Sequence, residues 1–225
     1  MRNWTELPDY MQNECVRPYY DQLKRQPISR FFKRVIDLLG ALCLMVILSP
    51  VMVIIAIMIK ADSKGPVFYR QERITRYGKI FRIFKFRTMV TGADQIGGLI
   101  TADNDVRVTA VGHKLRGLRL DELPQLFNVL AGDMSFVGTR PEVQRYVEHY
   151  TPEMYATLLL PAGITSEASI QFKDEAELMG LGEDSDMIYI KDILPRKMDI
   201  NLTALKNFSF WNDLKTAFRT IIDVF

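Results

Sequence analysis

Between Val35 and Ile59 the chain runs VIDLLGALCLMVILSPVMVIIAIMI, an apolar stretch that only a membrane or a large core can absorb. At about 1.5 Å of helical rise per residue, this length exceeds the roughly 20 residues that span a hydrocarbon core. Two features separate it from a plain crossing. Pro50 lies near its centre, where it removes the amide that would bond the Val46 carbonyl; the neighbouring Ser49 can offer its hydroxyl to that carbonyl instead. The flanks are basic on both sides, with Arg30, Lys33 and Arg34 before the run and Lys60 and Lys64 after it. A charge rule that keeps basic flanks in the cytoplasm would hold both ends there. A kinked single span and a re-entrant segment both satisfy these facts. Asp37, close to the interface, is expected to stay hydrated or to pair with Lys33 or Arg34, without a catalytic role.

The rest of the chain is ordinarily polar and long enough for one compact domain. This gives three parts: residues 1–29 as an irregular extension with room for a short helix, 30–60 as the membrane segment, and 61–225 as a cytosolic, membrane-surface domain. A net charge of +2 is too weak to indicate nucleic acid, and the basic residues between Arg70 and Arg87 suit phosphates or anionic headgroups better. Cys15 and Cys43 are the only cysteines, so neither a disulfide framework nor a cysteine metal site can be built. The apolar run is too long and too far from Met1 for a cleaved signal peptide.

After Gly65-Pro66, the runs VFYRQERI and KIFRIFKFRTM flank Tyr77-Gly78 and predict a β-hairpin carrying Arg70, Arg73, Lys85 and Arg87. Residues 92–107 read as a glycine- and aspartate-rich loop, where acids more often make turns than hold metal. Val108 to Leu118 can be helical, with His113 exposed. In LDELPQLFNVL the apolar residues form one helical stripe, Asp121 is a credible N-cap, Pro124 lies in the first turn and Gly132 ends the helix. Asp121 and Glu122 therefore sit at a helix N-terminus, where acids also simply favour the helix dipole. The following run ends in Gly138-Thr139-Arg140-Pro141, a turn suited to presenting a guanidinium to phosphate. Helix is expected over 142–160, a turn over Pro161 to Thr165, a strand over Ser169 to Phe172, an acidic stretch over 174–186, and helix over 189–195. Leu205, Phe208, Leu214, Phe218, Ile221 and Phe225 are expected along one side of a final amphipathic helix that either lies on a membrane or packs on the core.

Ser49-Pro50 in a membrane helix, KFRTM at 85–89, LDELPQ at 120–125, NVLAGDMSFVGTRP at 128–141 and PAGIT at 161–165 together resemble the monotopic phosphoglycosyl transferases, the bacterial sugar transferases. The resemblance implies an α+β fold: a mostly helical cytosolic catalytic domain with a small β-hairpin, anchored by an N-terminal re-entrant helix broken at Ser49-Pro50. It implies transfer of a sugar phosphate from a UDP-sugar to polyprenol (undecaprenyl) phosphate with Mg²⁺, through a covalent aspartyl intermediate, at the cytoplasmic face of the bacterial inner membrane. Asp121 would be the nucleophile and Glu122 its partner, both near the metal, with Lys85, Arg87 and Arg140 holding phosphate. Inner-membrane lipids would be partners, nucleic acid would not, and a homodimer is allowed. The chain looks like the small, catalytic-core form of the family. Arg119 stands where many members carry a small hydroxyl residue and Thr139 where many carry proline. Ser166 with Ala168-Ser169-Ile170 departs from the usual segment after PGIT, which leaves the donor sugar open. The rival reading is a non-catalytic, membrane-anchored binding or scaffold protein of the same fold.

Overall fold

A computed structural model describes residues 1–93, 105–172 and 185–224. The architecture is α+β and mostly helical, and two small two-stranded sheets hold the site together. The expected hairpin is present: β1 (Phe68–Ile74) pairs antiparallel with β2 (Ile80–Phe86), with Phe68 opposite Phe86 and Ile74 opposite Ile80. Between them Tyr77 and Gly78 both take positive φ, as so tight a reversal requires.

Helix α1 (Arg17–Lys24) precedes α2 (Pro27–Asp62), which carries the whole apolar run and remains helical through Ser49-Pro50, where a break was expected. Ser49 Oγ donates to the Val46 carbonyl at 2.9 Å, so the acceptor that Pro50 leaves open is satisfied within the same turn. Residues before and after the proline both pack on the rest of the chain. Ala41 joins Phe81, Ile83, Leu126, Val129, Met134 and Ala162 in one apolar cluster, whereas Met52, Ile55 and Ile59 join Phe86 and Leu115 in another. Between them Leu42, Leu44, Val46, Ile47 and Val51 are exposed.

The polar start of α2 is a docking surface. Asp37 is buried, not hydrated, and one carboxylate oxygen accepts from the Ser135 hydroxyl and the Phe136 amide, each at 3.0 Å. Lys33 pairs with Asp213 rather than Asp37 and also donates to the Val137 carbonyl. Arg34 caps the helix α4 (Gln125–Ala131) through the Val129 and Leu130 carbonyls at 2.7 and 3.2 Å.

α3 (Ala110–Gly117) starts at Thr109, whose side chain accepts from the Gly112 amide; His113 on it is exposed, as expected. α4 ends where Gly132 takes φ +84°, also as expected, and β3 (Met134–Val137) follows. The parallel partner of β3 is β4 (Ala162–Thr165), with Met134 opposite Ala162 and Val137 opposite Thr165. A Cβ on Gly163 would lie 2.2 Å from backbone atoms of Gly138, so β4 and the turn after β3 can approach this closely only through glycine.

The first 29 residues hold the expected short helix, α1, and also pack on the domain: Met11, Val16, Tyr19, Tyr20 and Leu23 are buried in the largest cluster beside Tyr146, Leu159 and Met198. Three expected elements change. The helix expected over 142–160 is two short pieces, α5 (Gln144–Val147) and a 3-10 segment at Met154–Leu159, separated near Pro152. The strand expected at 169–172 is α6 (Glu167–Gln171), because Ser166 accepts from the Ser169 amide and starts a helix. A helical turn α7 (Ser185–Ile188) and a π turn at Tyr189–Ile193 lead into α8 (Leu194–Lys206), and the final helix is separate, α9 (Phe210–Val224). That break divides the expected apolar side: Leu205 and Phe208 enter the core, while Trp211, Phe218, Ile221 and Ile222 on α9 stay exposed. The aspartates 94 and 103, and the acidic stretch from 174, lie outside the described residues apart from its end at Ser185 and Asp186. Asp105 is not open for metal, since Arg107 grips it at 2.6 to 3.1 Å and pulls its carboxyl down to about 2.

Candidate active site

The two carboxylates do not start α4. They lie one turn earlier, in a 3-10 turn at Leu120–Glu122, and Asp121 caps nothing. Arg119 opens this turn in the left-handed region, with φ 53°, a conformation that costs a non-glycine residue about 1 kcal/mol or more. The compact turn directs adjacent carboxylates into different surroundings.

Glu122 is the hub. Its Oε1 accepts from Lys85 Nζ at 2.8 Å and from Arg140 at 2.5 Å, and its Oε2 from Arg140 at 3.3 Å. Three separate elements therefore converge: Lys85 from β2, Glu122 from the 3-10 turn and Arg140 from the turn after β3. Burial raises the Glu122 carboxyl, but Arg140 and Lys85 outweigh it and hold the group well below the usual carboxylate range. Asp121 moves the opposite way. Burial and the Glu122 charge push it up, while Lys85, Arg116 and Arg140 only partly offset them. Among the described residues its carboxylate has no hydrogen-bond or ion-pair partner, and it borders a cavity of 240 Å³ together with Lys85, Arg116, Tyr69 and Gln71.

Arg140 is braced from behind. Arg73 is half-buried, and desolvation lowers its pKa; it donates to the Pro141 carbonyl at 3.0 Å and to Gln71 at 2.6 and 3.0 Å. Next to Pro141, the Glu142 side chain accepts from the Tyr189 hydroxyl at 2.6 Å, and Lys197 donates to that hydroxyl.

Of the expected phosphate ligands, Lys85 and Arg140 meet at the dyad and Arg87 does not. Arg87 is buried against the C-terminal end of α2, where it donates to the Ser63 carbonyl at 2.7 Å and the Lys64 carbonyl at 3.1 Å. It borders the cavity, but its guanidinium holds the anchor to the hairpin. Arg116 is the cation that the sequence did not reveal. A basic residue in the last turn of a helix reads as a partner for the helix dipole, and only the chain reversal at Arg119 brings α3 back beside Asp121. Arg70 stacks on Phe84, 3.9 Å from the ring centroid, rather than facing the dyad.

Among the described residues no group of three or more His, Cys, Asp or Glu could enclose a metal. Mg²⁺ commonly takes one or two carboxylates plus substrate phosphates, and one carboxylate with no protein partner, Asp121, is what the turn provides. Both Glu122 oxygens already accept from cations.

Comparison with known proteins identifies the family. A bacterial UDP-N-acetylgalactosamine-undecaprenyl-phosphate N-acetylgalactosaminephosphotransferase from Aeromonas hydrophila is 39% identical over 199 residues, covering 87% of this chain and 44% of that protein. A UDP-glucose:undecaprenyl-phosphate glucose-1-phosphate transferase from Caulobacter vibrioides is 34% identical over 192 residues, covering 84% of this chain and 68% of the relative. One from Klebsiella pneumoniae is 34% identical over 201 residues, covering 88% of this chain and 41% of the relative. The chain thus spans less than half the length of the Aeromonas and Klebsiella proteins. Residues 28–225, from the start of the membrane helix through the dyad and the Arg140 turn to the last helix, match the family described as bacterial sugar transferase, and the chain belongs to it.

Proposed function

We propose that this chain transfers a sugar 1-phosphate from a UDP-sugar to a polyprenol phosphate such as undecaprenyl phosphate, releasing UMP and starting a lipid-linked glycan. The observation that carries this reading is the divergence of two neighbouring carboxylates. Glu122 stays charged and gathers Lys85 and Arg140, while Asp121 is desolvated, unpartnered and aimed at a cavity. A carboxylate without hydrogen bonds retains its lone pairs for attack.

In the first step an Asp121 oxygen bonds to the β-phosphorus of the donor. The bond from that phosphorus to the bridging oxygen breaks, and UMP leaves with the electron pair. In the second, an oxygen of the lipid phosphate bonds to the same phosphorus and the electron pair of the acyl phosphate bond returns to Asp121. Lys85, Arg116 and Arg140 surround the transferred phosphate with positive charge, and Glu122 keeps two of these cations in place before substrate arrives. Mg²⁺ held by the donor diphosphate beside Asp121, with Glu122 kept on Lys85 and Arg140, would neutralise the diphosphate; chelation should abolish turnover and Mg²⁺ should restore it.

The anchor is read as re-entrant. Ala41 and Met52 both pack on the catalytic domain, and the helix between them rises only about 16 Å, roughly half of a hydrocarbon core. This favours a segment that enters and leaves by the same face, with the domain on the cytoplasmic side of the inner membrane, where the sugar nucleotide is found. The exposed Trp211, Phe218, Ile221 and Ile222 lie on a helix whose Phe210 touches Phe32 of α2, so both helices present apolar surface to lipid. Measuring UMP release from a panel of UDP-sugars in the presence of undecaprenyl phosphate tests the reading; no release from any of them would leave a non-catalytic binding protein of this fold.

A further inference from the structure

The dyad is reached from two sides, and the two sides differ in character. The first is the cavity beside Asp121, lined by Lys85, Arg116 and the polar side chains of the hairpin. The second, of 500 Å³, lies beside Glu122 and is walled by Leu44 and Leu48 of α2, Phe136 of β3, Ile164 of β4, Ile170 of α6 and Ile221 of α9. Glu122 and Asp223 also line it, with Arg119 the one cation among its described residues. Leu44 and Leu48 belong to the part of α2 that lies between the two packed arms, and Leu44 is exposed. A largely apolar trough therefore leads from the lipid-facing middle of the anchor to Glu122, the neighbour of Asp121.

A water-soluble sugar nucleotide gains nothing from such a path. A lipid phosphate needs one, because its chain stays out of water while its headgroup must travel to Asp121. The trough has an apolar wall for the chain and a cation, Arg119, two residues from Asp121, for the phosphate. We propose that this trough is the acceptor subsite: the polyprenyl chain lies against Leu44, Phe136, Ile170 and Ile221, and Arg119 receives the lipid phosphate. The proposal rests on the transferase reading above. The donor then uses the Asp121 cavity, and acceptor and donor approach one phosphorus from separately shaped openings.

The test combines mapping with kinetics. The wild-type protein in nanodiscs is irradiated with a diazirine-bearing polyprenyl phosphate and the labelled peptides are identified. Label within 164–171 and 44–48, competed by undecaprenyl phosphate but not by phosphatidylglycerol, is expected. Label confined to other parts of the chain, or lost equally to phosphatidylglycerol, would overturn the subsite whether or not the protein turns over a UDP-sugar. In the transfer assay, Ile170→Trp should fill the trough and lower the ratio of kcat/KM for a long-chain over a two-isoprene acceptor at least tenfold. Arg119→Asn, which tolerates the left-handed backbone, should raise KM for both acceptors about tenfold. Unchanged acceptor kinetics in both variants, with melting temperatures at the wild-type value, would overturn the proposal. Absence of UMP release from the wild-type enzyme would instead count against the transferase reading alone.

Discussion

Asn128, on α4, grips the backbone of β2 at two points: its Oδ1 accepts from the Phe84 amide at 2.8 Å, and its Nδ2 donates to the Arg82 carbonyl at 3.0 Å. The side chain thus extends the hairpin by one more partner and fixes the strand carrying Lys85 against the helix that follows the dyad. Asn128→Leu leaves a part-buried amide and a part-buried carbonyl without this partner, which costs about 1 to 3 kcal/mol. We expect a lower melting temperature together with at least a tenfold loss of kcat. Asn128→Asp keeps the acceptor and loses the donor, and should fall between them. Wild-type stability in both variants would show that the contact does not position β2.

Glu122→Gln leaves Lys85 and Arg140 facing each other without the carboxylate that gathers them. Loss of one member of so buried a cluster costs about 3 kcal/mol. The pH dependence supplies a check on sign. Because the Glu122 carboxyl is held below its usual value, its contribution to stability is complete above the unfolded-state pKa and disappears as pH falls through the folded-state value. Wild-type protein should therefore lose stability in acid more steeply than Glu122→Gln, as measured by denaturant midpoints across that range.

Asp121 has the opposite sign. Its carboxyl is raised in the folded protein, so ionising it works against folding at neutral pH. Asp121→Asn should melt higher, by on the order of 2 °C, while UMP exchange into UDP-sugar in the absence of lipid falls at least a thousandfold. Normal exchange in the Asn variant, or exchange that strictly requires lipid, would remove Asp121 as nucleophile.

Arg140→Lys keeps the charge and loses the fork that reaches both Glu122 oxygens. Retention of fold with a loss of kcat of tenfold or more is expected, and kinetics equal to wild type would return Arg140 to a structural role.

Topology is accessible through native chemistry. Cys15 is exposed before α2, and Lys64 is exposed just beyond it. In a Cys43→Ser background, Cys15 and a Lys64→Cys substitution should both resist an impermeant thiol reagent in intact cells and both react after lysis. Labelling of one but not the other in intact cells would mean that α2 crosses the bilayer.

What the sequence determined by itself was whatever depends on neighbours in the chain. Apolar length gave the membrane helix, alternating aromatic and basic residues around Tyr77-Gly78 gave the hairpin, and Gly132 gave the end of α4. The motif spacing singled out Asp121, Glu122, Lys85 and Arg140. Tertiary structure decided the assignments that depend on what a charge meets across the fold. Arg87 and Lys85 lie two apart on nearly the same strand, yet one caps α2 and the other reaches Glu122, because β2 ends at Phe86 and the chain turns away. Arg116 became a site residue only through the reversal at Arg119, and Asp37 turned out to be a buried anchor only because β3 offers it a hydroxyl and an amide. The split between two adjacent carboxylates was likewise unreadable in the sequence. Burial and the placement of Lys85 and Arg140 set it, and both follow from long-range packing rather than from local pattern.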